Sequence, residues 1–151
     1  MNRIERDLQA MGIVLESAKP AAGNYLGCKQ VGNLLFVSGR VSDLKGQVGK
    51  DISLEEAIIA ARNTVVLILS IVKQDLKDLD CIEGVVKLQG FVRSADNFTQ
   101  HPAVLDGASD LLIKLFGENG RHARTATGVN QLPFGAALQL DLILQLRSVK
   151  E

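Results

Sequence analysis

The chain has 151 residues, which is the size of one domain and is long enough to bury a core. Hydrophobic residues make up 46% and charged residues 23%, and the formal net charge is zero, which argues against a broad basic surface for nucleic acid. Aromatic residues are only 4% and tryptophan is absent, so platforms for base stacking are not expected. Without net charge to keep copies apart, such a chain favours self-association.

The N-terminal residues and the two cysteines predict a soluble cytoplasmic protein. The stretch MNRIERDLQAMGI is charged and lacks the apolar region of a signal peptide. The apolar run from Val65 to Val72 is too short to span a membrane. Cys28 and Cys81 do not make a disulfide framework, and both are expected to be buried free thiols in a reducing compartment.

The first half of the chain predicts a short helix, a hairpin and a long helix. Asn2 can cap the first helix, and Gly32-Asn33 suits a two-residue hairpin turn. Ser53 and Glu56 form a capping-box pattern at the start of the long helix. The predicted elements are a helix from Asn2 to Met11, a strand from Ile13 to Leu15, a loop from Lys19 to Asn24, strands from Tyr25 to Val31 and from Leu34 to Ser38, a surface loop from Ser42 to Asp51, and a helix from Ser53 to Lys73 or Leu76.

The second half predicts a long strand, a helix and two final strands. Pro102 suits the first position of a helix, and Gly117 suits the left-handed position after its last turn. The predicted elements are a strand from Leu79 to Val92, a polar loop from Ser94 to His101, a helix from Pro102 to Phe116, and strands from Ala126 to Gln131 and from Ala136 to Arg147.

This order of elements predicts an α+β fold. Helices and strands are mixed without a regular βαβ repeat, so we expect one mixed sheet covered on one face by two helices. No internal repeat or composition shift divides the chain, which predicts a single domain over residues 1–151 with the helix at 2–11 as an appendage.

Arg124 is the residue on which the predicted chemistry depends. It follows a glycine-rich turn and opens a strand, a position from which its guanidinium can bind a carboxylate in a pocket. The alternative is an ordinary surface salt bridge, worth about 0–1 kcal/mol. His122 has cationic neighbours and is expected beside the same pocket. Gln139 alternates with leucines on the last strand, so its face meets solvent, a pocket or a partner subunit.

Other kinds of site have weaker support in the sequence. The two histidines, His101 and His122, belong to no cluster with the spacing of metal ligands. No histidine or acid stands in a recognisable relation to Ser38 or Ser109, and the glycine-rich segments lack the lysine of a phosphate-binding loop. The sequence therefore predicts neither a metal site, nor a serine nucleophile, nor a nucleotide site.

The chain contains a series of short motifs: Asn24-Tyr25, Gly32-Asn33, Phe36 to Gly39, Gly90 to Val92, Asn97-Phe98, Asp106 to Leu112, Gly120 to Arg124, Gly128-Val129 and Leu132-Pro133. In this order and spacing they make the chain resemble the RidA family, also called YjgF-type proteins and once labelled endoribonuclease L-PSP. The resemblance covers about Asn24 to Leu146 and is to the somewhat longer relatives, not to the archetypal deaminases. It implies a chorismate-mutase-like fold in a homotrimer, with a barrel of sheets, helices outside and clefts between subunits.

The resemblance also implies a reaction and roles for residues. Archetypal members hydrolyse reactive enamines and imines, such as 2-aminoacrylate, to 2-keto acids and ammonia, without metal or organic cofactor. Matched residue by residue, Arg124 corresponds to the arginine that grips the substrate carboxylate and Tyr25 to the cleft tyrosine. Ser38-Gly39 corresponds to the strand end that lines the pocket. Nucleic acids and membranes are not among the partners that these features indicate.

Three positions depart from the archetypal pattern. Gln139 stands where a glutamate positions water, Asp106 where a cleft asparagine is common, and Ala126 where the archetype has a cysteine. Glutamine can hold a water but cannot take its proton, and Asp106 would repel a carboxylate unless it is paired. Three functions therefore stay open: an imine deaminase, a carboxylate-binding or regulatory trimer, and an RNA-cleaving enzyme.

Overall fold

The structure, a computed structural model, describes residues 2–148. It contains three α-helices and five β-strands in this part of the chain. The helices are α1 (Arg3–Ala10), α2 (Leu54–Leu76) and α3 (His101–Phe116). The strands are β1 (Cys28–Val31), β2 (Leu34–Val41), β3 (Ile82–Arg93), β4 (Ala123–Val129) and β5 (Leu138–Leu146).

The strands form one mixed sheet in the order β1-β2-β5-β3-β4. Strands β3 and β4 are parallel, and α3 forms the crossover connection that a parallel pair needs. The other neighbouring strands of the sheet pair in antiparallel directions. Helices α2 and α3 pack on each other and on one face of the sheet. The α+β fold with two helices on one face is therefore confirmed. The opposite face has no helix over it in residues 2–148.

The helix ends follow the sequence signals closely. Asn2 caps α1 by accepting a hydrogen bond from the backbone N–H of Glu5. Ser53 and Glu56 form both hydrogen bonds of the capping box at α2. The left-handed Gly117 ends α3. Each of these residues satisfies backbone groups that a helix terminus leaves unpaired, so local chemistry sets the helix bounds.

The core lies between the two long helices and the sheet. Leu88, Leu140 and Leu142 point from the central strands toward the helices and are fully or almost fully buried. Ile4 and Leu8 of α1 are also buried in this core, so the N-terminal helix packs against the rest of the fold. Among residues 2–148, no helix is both long and apolar enough to cross a membrane.

Several local predictions were wrong. Residues Ile13 to Leu15 form no strand, and the first hairpin strand begins at Cys28 and not at Tyr25. The second hairpin strand continues past Ser38 to Val41, since it pairs with β5 there. The loop from Ser42 to Asp51 is not wholly a surface loop, because Ser42 and Val48 are buried.

Differences in the second half have tertiary causes. Residues Leu79–Cys81 form a 3-10 turn before β3, and Cys81 is exposed, whereas a buried thiol was predicted. Strand β4 begins at Ala123, three residues earlier than predicted, because residues from Ala123 onward pair with β3. Strand β5 begins at Leu138, two residues later than predicted. Arg124 therefore lies within a paired strand.

Candidate functional site

A cavity of about 630 Å³ opens where β2 continues beyond its partner β1. Strand β1 pairs with β2 only up to Val37, so the outer edge of residues 39–41 has no strand beside it. The segment 16–25 passes over this edge, and the second half of α2 forms another wall. Tyr25, Gly39 and Gln139, three of the residues predicted for the site, line the cavity together. We call these three residues the cavity group.

Gly39 and Gln139 approach each other so closely that any side chain at position 39 would displace the Gln139 amide. A Cβ atom at position 39 would lie 2.9 Å from Nε2 of Gln139. The pairing between β2 and β5 shifts register between Val37 and Arg40, and Gly39 lies in this irregular part of β2. The bulge and the missing side chain together leave room for the Gln139 amide at the cavity wall.

Ser38 does not line the cavity, although it was predicted to. Its hydroxyl donates to the carbonyl oxygen of Leu26 at 2.6 Å, and its N–H donates to that of Gly27 at 2.9 Å. These bonds fasten the segment that follows Tyr25 to β2. Tyr25 itself is 46% exposed, and its hydroxyl accepts from the N–H of Ala22. Ser38 thus positions the chain near the cavity and does not face its interior.

Arg124 and Asp106 lie elsewhere and contact each other. Nη1 of Arg124 donates to Oδ1 of Asp106 at 2.8 Å and to Oγ of Ser109 at 3.1 Å. Nη2 donates to the carbonyl oxygen of Pro102 at 3.3 Å. All three acceptors belong to α3. We call Asp106, Ser109 and Arg124 the α3 group. The Arg124 side chain is 24% exposed, and it does not line the cavity.

His122 contacts this group through Ser109. Its Nδ1 lies 2.6 Å from the carbonyl oxygen of Gly120, and its Nε2 lies 3.0 Å from Oγ of Ser109. A carbonyl only accepts, so Nδ1 carries a proton, and in the neutral ring Nε2 accepts from the Ser109 hydroxyl. Ser109 can then receive the Arg124 donor on its oxygen. The expectation that no histidine relates to Ser109 was wrong, because the turn between α3 and β4 brings His122 back onto the helix.

The two groups lie on opposite faces of the sheet within one chain. Arg124 pairs with Leu88, which pairs with Leu142, and both leucines face the helices. Gln139 is three residues from Leu142 along β5 and therefore points to the other face. Two strand spacings and three residues separate the Cα atoms of Arg124 and Gln139 by about 14 Å. A small ligand cannot contact both side chains of the same chain.

Gln139 shares its sheet face with Asp141 of β5. Burial raises the pKa of Asp141 above its ordinary value, and the positive charge of Lys87 opposes this rise. Ala126, the third position that departs from the archetype, lies on β4 opposite Gly90 and is partly buried against the core. Among residues 2–148, no three side chains of His, Cys, Asp or Glu gather closely enough to hold a metal ion.

Arg40 was not among the residues predicted for the site, yet it also lines the cavity. Its Nη2 donates to the carbonyl oxygen of Lys19 at 3.1 Å, and its Nη1 lies 3.5 Å from that of Pro20. Its Nε is buried and has no acceptor among the described residues. A cation directly after Ser38-Gly39 was a signal in the sequence. The direction of the Arg40 side chain could not be predicted from the sequence, because the bulge in β2 decides to which side of the sheet this side chain points.

Comparisons with known proteins agree with the fold. A family model described as "YjgF/chorismate mutase-like, putative endoribonuclease" matches residues 5–145. The chain is 40% identical over 153 residues to a Trypanosoma cruzi protein called TCP17, covering 97% of this chain and 96% of that protein.

Two solved structures are also similar. The first is a protein of unknown function from Agrobacterium tumefaciens, with a TM-score of 0.89 and 39% identity, covering 95% of this chain and 92% of that one. The second is a "putative endoribonuclease" from Shewanella oneidensis, with a TM-score of 0.92 and 32% identity, covering 96% of this chain and 100% of that one. The similarity therefore extends over the whole fold.

Proposed function

The chain belongs to the YjgF/chorismate-mutase-like family, and on that basis we propose that it hydrolyses the C=N bond of small imino acids, releasing a 2-keto acid and ammonia. The observation that supports this proposal most is the cavity that gathers Tyr25, Gly39 and Gln139 at one open strand edge. Of the two solved structures, one is described as a protein of unknown function and the other as a "putative endoribonuclease", and neither description names this reaction.

The proposed site requires two copies of the chain. Arg124 cannot reach the cavity of its own chain, because β4 forms one edge of the sheet and the cavity opens beside β2, near the other edge. In the proposed homotrimer, Arg124 of one subunit faces the cavity of the next and binds the substrate carboxylate. Exposed apolar side chains support burial by further copies: Tyr25 is 46%, Phe36 41% and Phe134 68% exposed.

The reaction needs positioning more than strong acid or base chemistry. A protonated imine is already electrophilic, so holding its carbon near one ordered water supplies much of the rate. The Gln139 amide, placed by the missing side chain of Gly39, holds this water but cannot take its proton. Water adds to the imine carbon and its protons pass through solvent to the nitrogen, which then leaves as ammonia as the C–N bond breaks and the C=O bond forms. We propose no metal or organic cofactor for these steps.

A carboxylate-binding or regulatory trimer without turnover is the second candidate. Two observations favour it: Gln139 is not a base, and Asp106 already pairs with Arg124. RNA cleavage, the activity in the names of some relatives, has less support, since the net charge is zero and aromatic residues are few.

Turnover is tested by generating imino acids from several amino acids in the presence of semicarbazide, which traps the imine. We expect the protein to reduce semicarbazone formation and Arg124→Ala to abolish this effect. Arg121→Ala, which removes a nearby exposed arginine paired with Glu118, is the matched control and is expected to keep activity. Equal turnover by wild type and Arg124→Ala would refute the assignment. Binding of keto acids without any turnover would support the second candidate.

The shared cleft is tested by mixing two variants. Arg124→Ala and Tyr25→Ala alter different sides of the proposed cleft, so each alone is expected to be inactive. Trimers refolded from an equal mixture should regain activity in about a quarter of their clefts, because some clefts combine an intact Arg124 with an intact Tyr25. If mixing restores no activity, the two residues do not act across a subunit boundary.

A further inference from the structure

The cavity that we assign to the imino acid is lined by an arginine of its own chain, Arg40. Three cations and two carboxylates line this cavity: Lys19, Arg40 and Lys45 against Glu16 and Asp43. Lys19 and Asp43 are exposed and pair with each other at 3.2 Å. Glu16 and Lys45 are exposed as well. Arg40 is half-buried, so its charge is the one least screened by water.

Arg40 has no carboxylate partner among residues 2–148. Only the backbone carbonyl oxygens of Lys19 and Pro20 accept from its terminal nitrogens, and the second of these bonds is long, at 3.5 Å. Its buried Nε–H has no acceptor. A guanidinium binds a carboxylate through two parallel N–H donors. Neutral backbone carbonyls that accept on one side of the guanidinium do not balance its charge as a carboxylate would. The charge of Arg40, which no carboxylate of the described residues neutralises, therefore favours an anion in the cavity.

Arg124, the other arginine of the proposed site, differs from Arg40 because it has a carboxylate partner. Arg124 already pairs with a carboxylate, that of Asp106, at 2.8 Å. A ligand that carries a second carboxylate at its far end would use the charge of Arg40.

We propose that the substrates of this site are dicarboxylic imino acids of four or five carbons, in which Arg40 binds the second carboxylate. This inference rests on the proposed function, in which Arg124 of the neighbouring subunit binds the carboxylate next to the imine. Arg40 then determines specificity and takes no part in the bond changes. The corresponding products are dicarboxylic 2-oxo acids, and these serve as stable ligands for binding measurements.

The test compares two ligands that differ only in the second carboxylate. Calorimetric titration of the full-length protein measures the affinity of 2-oxoglutarate and of 2-oxopentanoate, which has the same number of carbons. We expect 2-oxoglutarate to bind at least tenfold more tightly. Arg40→Gln should remove this preference and leave the affinity for 2-oxopentanoate unchanged within about twofold. Arg40→Lys, which keeps the charge without the planar fork, should retain part of the preference.

Controls separate this inference from the proposed function. Arg62→Gln removes one positive charge from α2 outside the cavity and should leave both affinities unchanged. Equal binding of both acids by wild type, or an unchanged preference in Arg40→Gln, would overturn the dicarboxylate inference and leave the proposed function standing. Binding of neither acid would overturn both. Circular dichroism of Arg40→Gln and its affinity for 2-oxopentanoate show whether the variant is folded with an intact cavity.

Discussion

Oδ1 of Asp106 lies 2.8 Å from Nη1 of Arg124, so a carboxylate of the protein itself occupies one donor of the guanidinium proposed to bind substrate. The Asp106 side chain is 60% exposed, which makes the pair a weak one that a ligand can compete with. The sequence predicted that Asp106 would repel a carboxylate ligand unless it is paired. Because Arg124 balances the negative charge of Asp106, this repulsion is reduced.

Asp106→Asn is expected to strengthen carboxylate binding. Loss of the competing charge should raise the affinity for 2-oxobutyrate by about three- to tenfold, with little change in stability because the ion pair is exposed. Isothermal titration calorimetry and thermal unfolding measure the two effects. Asp110→Asn, one turn further along the exposed side of α3, is the control. An affinity that falls in Asp106→Asn would mean that Asp106 helps to bind the ligand.

Gly39→Ala is expected to reduce turnover with little loss of stability. The new Cβ would meet Nε2 of Gln139 at 2.9 Å, and the flexible glutamine side chain has to move away. We expect imino acid turnover to fall by about tenfold or more, since a displacement near 1 Å disturbs a positioned water. Gly23→Ala, whose Cβ would make an ordinary contact with Tyr25 at 3.4 Å, is the matched control. Unchanged turnover in Gly39→Ala would remove Gln139 from the mechanism.

The ionisation of Asp80 should make the stability of the protein depend on pH. Burial alone would raise the pKa of Asp80, but the N–H donors of Arg3 and Ile4 and the charges of Arg3 and Arg6 outweigh burial and lower it. Because the pKa is lower in the folded state, ionised Asp80 stabilises the fold above about pH 4, and this contribution disappears as the pH falls through the folded pKa.

Urea unfolding between pH 3 and pH 7 measures this effect. Asp80→Asn should be less stable than wild type at pH 6, and the difference should shrink below about pH 4. Asp110→Asn, an exposed carboxylate of α3, should show no such trend. A difference between Asp80→Asn and wild type that stays constant with pH would contradict the assignment.

The two cysteines should differ sharply in reactivity. Burial raises the pKa of Cys28 to about 12, with a smaller contribution from the negative charge of Asp75, whereas Cys81 is exposed. The thiolate is the reactive form, so iodoacetamide at pH 8 should modify Cys81 and spare Cys28 in the native protein. Peptide mass spectrometry locates the label, and unfolding in urea should make both cysteines reactive. Rapid native labelling of Cys28 would show that its site opens.

Ser53→Ala should destabilise the protein by about 1 kcal/mol, because it removes the hydrogen bond that caps α2. The capping box is exposed, so the loss is that of the cap and not of core packing. Chemical unfolding measures the change. Thr99→Ala, in an exposed loop, should change stability by less than about 0.5 kcal/mol.

The sequence predicted the elements whose causes are local. The capping box at Ser53, the left-handed Gly117 and the turn at Gly32 fixed helix and hairpin bounds, because each depends on residues within one turn of chain. The period of the leucines in β5 also predicted which face is buried. The family motifs supported the same α+β fold.

The grouping of the site residues was decided only by tertiary structure. Arg124 and Gln139 were predicted for one site, yet strand pairing through Leu88 and Leu142 places them on opposite faces of the sheet. The contact of Asp106 with Arg124 and the presence of Arg40 in the cavity likewise depend on elements distant in the sequence. A period of two residues fixes the face of a side chain within one strand, but only the register between strands determines which side chains meet.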